Sequence, residues 1–184
     1  MLSGYSDNDG AIAAQLSELD DVYIKNNSVH LGNGVISGFV EDGNTKASAN
    51  IGVGRTALEA LTTGDYNVAI GSGSLATNTT ANQNVAVGYD ALGANTLGSK
   101  STAIGHQTLY GASGKANSTN TSVAIGYQAL GDQNVGSDAY NVAVGYQAGT
   151  DVTTGVRNVI VGGLAGDAIT ATPGRRGRRN STWT

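Results

Sequence analysis

The chain has no cysteine, which excludes disulfide frameworks, thiolate zinc sites and thiol nucleophiles. It holds one phenylalanine, one tryptophan, one methionine and one proline in 184 residues. Large side chains supply most of the buried area of an ordinary domain of this size, so a compact globular core is not what this composition builds. The apolar content is Ala, Val, Ile and Leu, interleaved with 28 glycines. A core made of these residues must be thin and regular, which favours a quasi-one-dimensional architecture. No run of 18 apolar residues occurs, so no membrane-spanning helix is expected. Met1 to Asp7 has no basic segment followed by an apolar one, so no secretory signal peptide is expected there.

Charge is sparse and uneven. The net charge is −4, and four of the ten basic residues are Arg175, Arg176, Arg178 and Arg179. The rest of the chain is acidic, which argues against a nucleic-acid-binding body.

The sequence does contain a repeat. One phrase recurs seven times: Asn50 to Gly54, Asn67 to Gly71, Asn84 to Gly88, Ser101 to Gly105, Ser122 to Gly126, Asn141 to Gly145 and Asn158 to Gly162. Its closing glycines lie 17, 17, 17, 21, 19 and 17 residues apart. Ala57-Leu58, Ser74-Leu75, Ala91-Leu92, Thr108-Leu109, Ala129-Leu130, Ala148-Gly149 and Ala165-Gly166 form a second phrase, three and four residues after each glycine. The remainder of each unit is Thr, Asn, Gly and Ser, and both insertions fall in that polar part, as loops of a stacked coil would.

Val68-Ala69-Ile70 alternates with period two and reads as a strand, ended by a glycine that bends at no steric cost. Seventeen residues are too few for a helical repeat and enough for one coil of a β-solenoid. The predicted fold is therefore all-β: a parallel β-solenoid, or β-roll, of about seven 17-residue coils over residues 50–166. Coils stacked about 4.8 Å apart would make a rod on the order of 30 Å long. Residues 1–49 read as a small β-rich cap or attachment segment. It would have a short helix at Ala11 to Leu16 and strands at Val22 to Ile24, Val29 to Leu31 and Val35 to Val40. Residues 167–184 read as a flexible basic tail.

Column roles follow from alternation. The Val68, Val85, Val123, Val142, Val159 column and the Ile70, Val87, Ile104, Ile125, Val144, Val161 column are expected inside the coil. Leu58, Leu75, Leu92, Leu109 and Leu130 would close it from the opposite wall. Asn50, Asn67, Asn84, Asn141 and Asn158, with Ser101 and Ser122 in the gap, should form an amide ladder. The small column Ala69, Ala86, Ala103, Ala124 and Ala143 would then face outward. It is the expected contact face of a homotrimer, because a coil this thin encloses little apolar volume on its own. The inserted residues 111–120 are expected to be exposed.

The phrase Asn-Val-Ala-Val-Gly-Tyr-Asp-Ala-Leu at Asn84 to Leu92, with Ser122 to Leu130 and Asn141 to Gly149, resembles the repeat of phage tail-fibre and related virion-fibre proteins. It is also similar to the head repeats of trimeric autotransporter adhesins of the YadA type. The resemblance covers roughly residues 50–166. Leu16 to Val22 further resembles a phrase of structural proteins from phages of marine cyanobacteria. The resemblance implies trimers of parallel β-rolls, exposure outside the cell on a virion, and surface binding. The expected partners are other virion structural proteins and a host cell-surface glycan or protein, with no membrane insertion. The alternative is a fragment of a bacterial surface adhesin displayed on a cell. The adhesins' secretion signal, coiled-coil stalk and membrane anchor, and the self-cleaving chaperone domain of many phage fibres, are not seen in this sequence.

No catalytic, metal or cofactor set is expected. His30 and His106 are the only histidines, and His106 occupies the repeat position held by Tyr89, Tyr127 and Tyr146. No Ser-His-Asp set assembles around it. Gly52-Val-Gly54 and Gly71-Ser-Gly73 recur because the coil recurs, without the helix and acidic residue of a dinucleotide site. The aspartates do not keep the register of calcium-binding nonapeptides. An ice-binding solenoid would need threonines in one column, and they do not hold one. The candidate binding strip is Tyr89, His106, Tyr127 and Tyr146 with Gln107, Gln128 and Gln147, because aromatic rings beside amides suit sugars. Packing between chains or over a turn is the commoner role for such a column. Acidic glycan or nucleic acid would suit the arginine cluster, whose commoner role is a solvated tail.

Overall fold

The computed structural model describes residues 22–25, 28–32, 47–111, 121–135, 138–166 and 176–178. It is an all-β solenoid. Strand β1 (Val22–Lys25) pairs antiparallel with β2 (Ser28–Leu31). Then come β3 (Ile51–Val53), β4 (Val68–Ile70), β5 (Val85–Val87), β6 (Thr102–Ile104), β7 (Val123–Ile125), β8 (Val142–Val144) and β9 (Val159–Val161), one per repeat. The last strand is β10 (Arg176–Arg178). All ten lie in one sheet in chain order, and every pair from β2 onward is parallel. The register is strict: Val68 lies beside Val85, Ala69 beside Ala86 and Ile70 beside Val87. Among the described residues no helix is long and apolar enough to cross a membrane.

The facing of the strands is opposite to the expectation. Ala69, Ala86, Ala103, Ala124 and Ala143 are fully buried within the single chain. The valine and isoleucine columns point outward, with Ile70, Ile104 and Ile125 each about two-fifths exposed. The reason is width. Fully buried Leu58, Leu75, Leu92, Leu109 and Leu130 reach across from the opposite wall, as expected. Beside them Ala57, Ala91, Ala129, Ala148 and Ala165 are buried too. The wall facing those leucines has room for a methyl group only. The alanine column is therefore core, and it cannot be the contact face of a trimer.

The amide ladder forms as expected. Asn67 Nδ2 donates to Asn50 Oδ1 at 3.1 Å, Asn84 Nδ2 to Asn67 Oδ1 at 3.2 Å, and Asn158 Nδ2 to Asn141 Oδ1 at 3.1 Å. The amides of Asn50, Asn67, Asn84 and Asn141 also reach across their own coils: Asn67 Nδ2 donates to the Ala81 carbonyl at 2.9 Å and Asn84 Nδ2 to that of Gly98 at 2.8 Å. These bonds satisfy polar groups that burial would otherwise leave costly. Where serines interrupt the ladder, buried Gln133 bridges the gap. It donates to Ser122 Oγ at 3.1 Å and accepts from Asn141 Nδ2 at 2.6 Å.

The glycine closing each strand is required by contact as well as conformation. Gly88 has φ +133°, and a Cβ there would lie 2.3 Å from the Gly105 carbonyl oxygen of the next coil. Other bends use left-handed residues that are not glycine. Leu75, Leu92, Leu109 and Leu130 have φ near +50°, and exposed Gln83 and Lys100 have φ +61° and +63°. Such positions carry strain. The inter-coil ladder holds the leucines there: the Leu75 amide donates to the Ala91 carbonyl and the Leu92 amide to that of Thr108, both at 3.0 Å.

The ends differ from expectation in one respect. Arg176–Arg178, expected to be part of a flexible tail, pairs as a strand with Val159–Val161. Backbone pairing is indifferent to side-chain charge, and the edge of β9 offers unpaired donors and acceptors. Of the residues expected to be exposed, Gly111 is buried and its amide donates to the Gly131 carbonyl at 2.8 Å. The helix expected at 11–16, the strand expected at 35–40 and residues 112–120 lie outside the described residues.

Candidate functional site

The residue after each closing glycine leaves the sheet and points to solvent. In the middle coils this position is aromatic, and the coil spacing stacks the rings. Tyr89 and His106 have centroids 5.1 Å apart, His106 and Tyr127 5.2 Å, and Tyr127 and Tyr146 5.2 Å, with interplanar angles of 23°, 20° and 9°. These are favourable stacking separations. His106 thus fills the column in place of a tyrosine.

Beside the rings runs an amide ladder. Gln128 Nε2 donates to Gln107 Oε1 at 3.1 Å, and Gln147 Nε2 donates to Gln128 Oε1 at 3.0 Å. The structure therefore brings all seven residues of the candidate strip into two adjacent columns that run along the coil stack. Stacking has a chemical consequence. The inner rings, His106 and Tyr127, have a neighbour on both faces, so they offer solvent their edges and polar atoms and no platform for a sugar. In the last coil the position after the closing glycine is Gly163, which has no side chain to stack on Tyr146.

A residue outside the strip changes the geometry. Tyr110 follows Leu109, and the corresponding residues of the adjacent coils are Gly93 and Gly131. Gln107, Tyr110, Gln128, Gly131, Asp132 and Thr150 line an open notch of about 210 Å³. The four-residue insertion begins just beyond Tyr110 and takes its unit out of the 17-residue frame, which hides the column from sequence reading. The glycines on either side of Tyr110 were the available signal.

His30 sits on β2 and His106 lies two residues beyond β6, four strands away in the sheet, so they form no common site. His30 takes the alanine-column position on β2 and is buried over Gly52, where a Cβ would lie 2.6 Å from His30 Cδ2. Neither ring nitrogen makes a hydrogen bond of ordinary geometry among the described residues. Burial pushes its pKa below 6.5, partly offset by the backbone of Ala57. Among the described residues no group of three or more His, Asp or Glu is placed to hold a metal ion.

No protein-family model matches the chain, and neither a curated protein nor a solved structure is significantly similar to it.

Proposed function

We propose that the chain is a non-enzymatic, structural and adhesive segment of a virion fibre of the phage tail-fibre type. It works as a homotrimer outside the cell, joined to other virion proteins and supporting attachment to a host-surface glycan or protein. One observation carries this reading: the outward valine and isoleucine face. Ile51, Ile70, Ile104, Ile125, Val159 and Val161 are 38–50% exposed on five of the seven strands β3 to β9, and the outward valines of β5 and β8 are half-buried between them. A continuous apolar strip about 30 Å long is uncommon on a monomer's surface and marks an interaction surface.

The shape of that strip favours parallel copies of the same chain. It is straight, lies on one face, and repeats with the coil, so an identical strip matches it rung for rung. Three chains with their strips turned inward close around an axis and leave the aromatic and glutamine ladders outside. On this reading the trimer contact is the Val/Ile face instead of the alanine column. Such a bundle is rigid along its length and presents side chains at fixed intervals, which suits a fibre. The repeat's resemblance to virion-fibre proteins supports the virion over the cell surface.

Immunogold electron microscopy with antibody to the chain separates the two settings. Label on fibres of purified particles is the expected outcome. Label confined to the envelope of uninfected bacteria would replace the virion reading with that of a bacterial surface adhesin.

A further inference from the structure

We propose that the notch between Tyr110 and Thr150 is a subsite for one neutral pyranose ring of a surface glycan, an inference that rests on the adhesive reading above. The position after the core leucine carries Tyr110 in one coil, Gly131 in the next and Thr150 in the one after. Glycine in the middle removes a side chain from a stacked column, and the gap is the notch.

The ring of Tyr110 leans away from that gap. A Cβ built on Gly93 would lie 3.1 Å from Tyr110 Cε2, whereas the nearest neighbours of a Cβ on Gly131 belong to Gln128 and Thr150. One face of Tyr110 is therefore left toward the notch, unlike the faces of Tyr127, which its neighbours cover. That is the platform the aromatic ladder itself lacks.

The polar groups around the platform are of the kind that sugar hydroxyls require. Gln107 Oε1 is taken by Gln128 Nε2, which fixes the Gln107 amide with its donor end still available. Thr150 Oγ1 is anchored on the Gln128 carbonyl at 3.0 Å. Asp132 is exposed at the rim, and its backbone is held by the Thr150 carbonyl at 3.2 Å. A carboxylate accepts hydrogen bonds from two hydroxyls and repels an anionic sugar, so the class is a neutral hexose or N-acetylhexosamine, not a sialic or uronic acid. At about 210 Å³ the notch is smaller than the roughly 300–1,000 Å³ of a drug-sized pocket, so it takes one ring. Binding by one such site is weak, and three copies on a trimer would raise it by avidity.

The test is saturation-transfer difference NMR on the full chain. The probes are the methyl glycosides of glucose, galactose, N-acetylglucosamine and N-acetylgalactosamine, with sialic acid alongside. At least one neutral glycoside should receive saturation, strongest on the C–H protons of one ring face, with affinity on the order of millimolar. Tyr110→Ala, and Gly131→Tyr, which puts a second ring over the platform, should each weaken it at least about tenfold. No transfer to any neutral glycoside, unchanged binding in both variants, or preference for sialic acid would overturn the subsite. Sedimentation of the same samples separates the two proposals. A monomer that binds the sugar through Tyr110 contradicts the fibre and keeps the subsite, and a trimer that binds none of them contradicts the subsite alone.

Discussion

Ile160 on β9 occupies the space that Gly149 leaves empty: a Cβ on Gly149 would lie 2.8 Å from Ile160 Cδ1. In the coils of β4 to β7 the strand position is alanine and the facing position leucine. Here the bulk has changed walls, since Ile160 stands in the alanine column while Gly149 and Gly166 stand in the leucine column. Ile160→Ala alone should open a cavity and cost about 2–5 kcal/mol. Gly149→Leu alone should overpack the site and cost about 1–3 kcal/mol. The double variant restores the earlier pairing and should recover most of the loss in urea unfolding. Additive losses would mean that the two walls do not share one interior.

Gly105→Ala should disrupt the stack, where the same substitution at a mere flexible turn would be mild. The backbone there has φ +137°, and an added Cβ would lie 2.3 Å from the Gly126 carbonyl oxygen. That clash is with backbone and cannot be relieved by a rotamer. The expected loss is about 3 kcal/mol or more, at the upper end of single-substitution effects, read as a lowered unfolding midpoint.

At Gln83 the same logic runs the other way. Its side chain is exposed and its φ is +61°, a conformation that disfavours any residue with a Cβ. Gln83→Gly removes strain of about 1–2 kcal/mol and adds about 0.5–1 kcal/mol of unfolded-chain entropy. A small net stabilisation is expected, visible as a raised thermal midpoint. A lowered midpoint would show that the Gln83 side chain contributes packing.

His30 makes the first coil sensitive to acid. Its folded-state pKa lies below the ordinary 6.5 because burial disfavours the cation. The unfolded chain therefore takes up the proton first, and folding stability falls as pH drops below about 6.5, levelling once the folded form is protonated too. Above that range this group contributes no pH dependence. The protection factors of the Val29 and Ile51 amides, exchange rates corrected for the intrinsic effect of pH, should fall between neutral and mildly acidic pH, and His30→Met should flatten that response. A response unchanged in His30→Met would assign it to another group.

The repeat, its strands and the parallel stacking were legible because glycine spacing and period-two alternation are local signals. So were the asparagine and leucine columns, whose chemistry admits few roles. The direction in which the strands face was not read correctly, since Val-Ala-Ile alternation fits either face and bulk suggests the interior. The deciding clue lay in the last coils, where isoleucine replaces alanine as glycine replaces leucine. Only two columns sharing one interior exchange volume in this way. The Tyr89, His106, Tyr127, Tyr146 line was visible as a repeat position. That its rings consume one another's faces depends on the coil spacing and tilt, which composition does not reveal. The strand at Arg176–Arg178 had no sequence signal, because an open sheet edge recruits backbone and not side chains.

The central claim is that the outward Val/Ile face, and not the alanine column, joins chains into a trimer. Sedimentation equilibrium of the native chain, Ile104→Glu and Ala103→Glu, with circular dichroism of each, tests it most directly. The native chain should have three times the 18.5 kDa monomer mass. Ile104→Glu should lose that mass while a monomer-sized species keeps β structure, and Ala103→Glu should lose the fold because it buries a charge in the coil. A native chain that sediments at 18.5 kDa, with Ile104→Glu indistinguishable from it, would contradict the account.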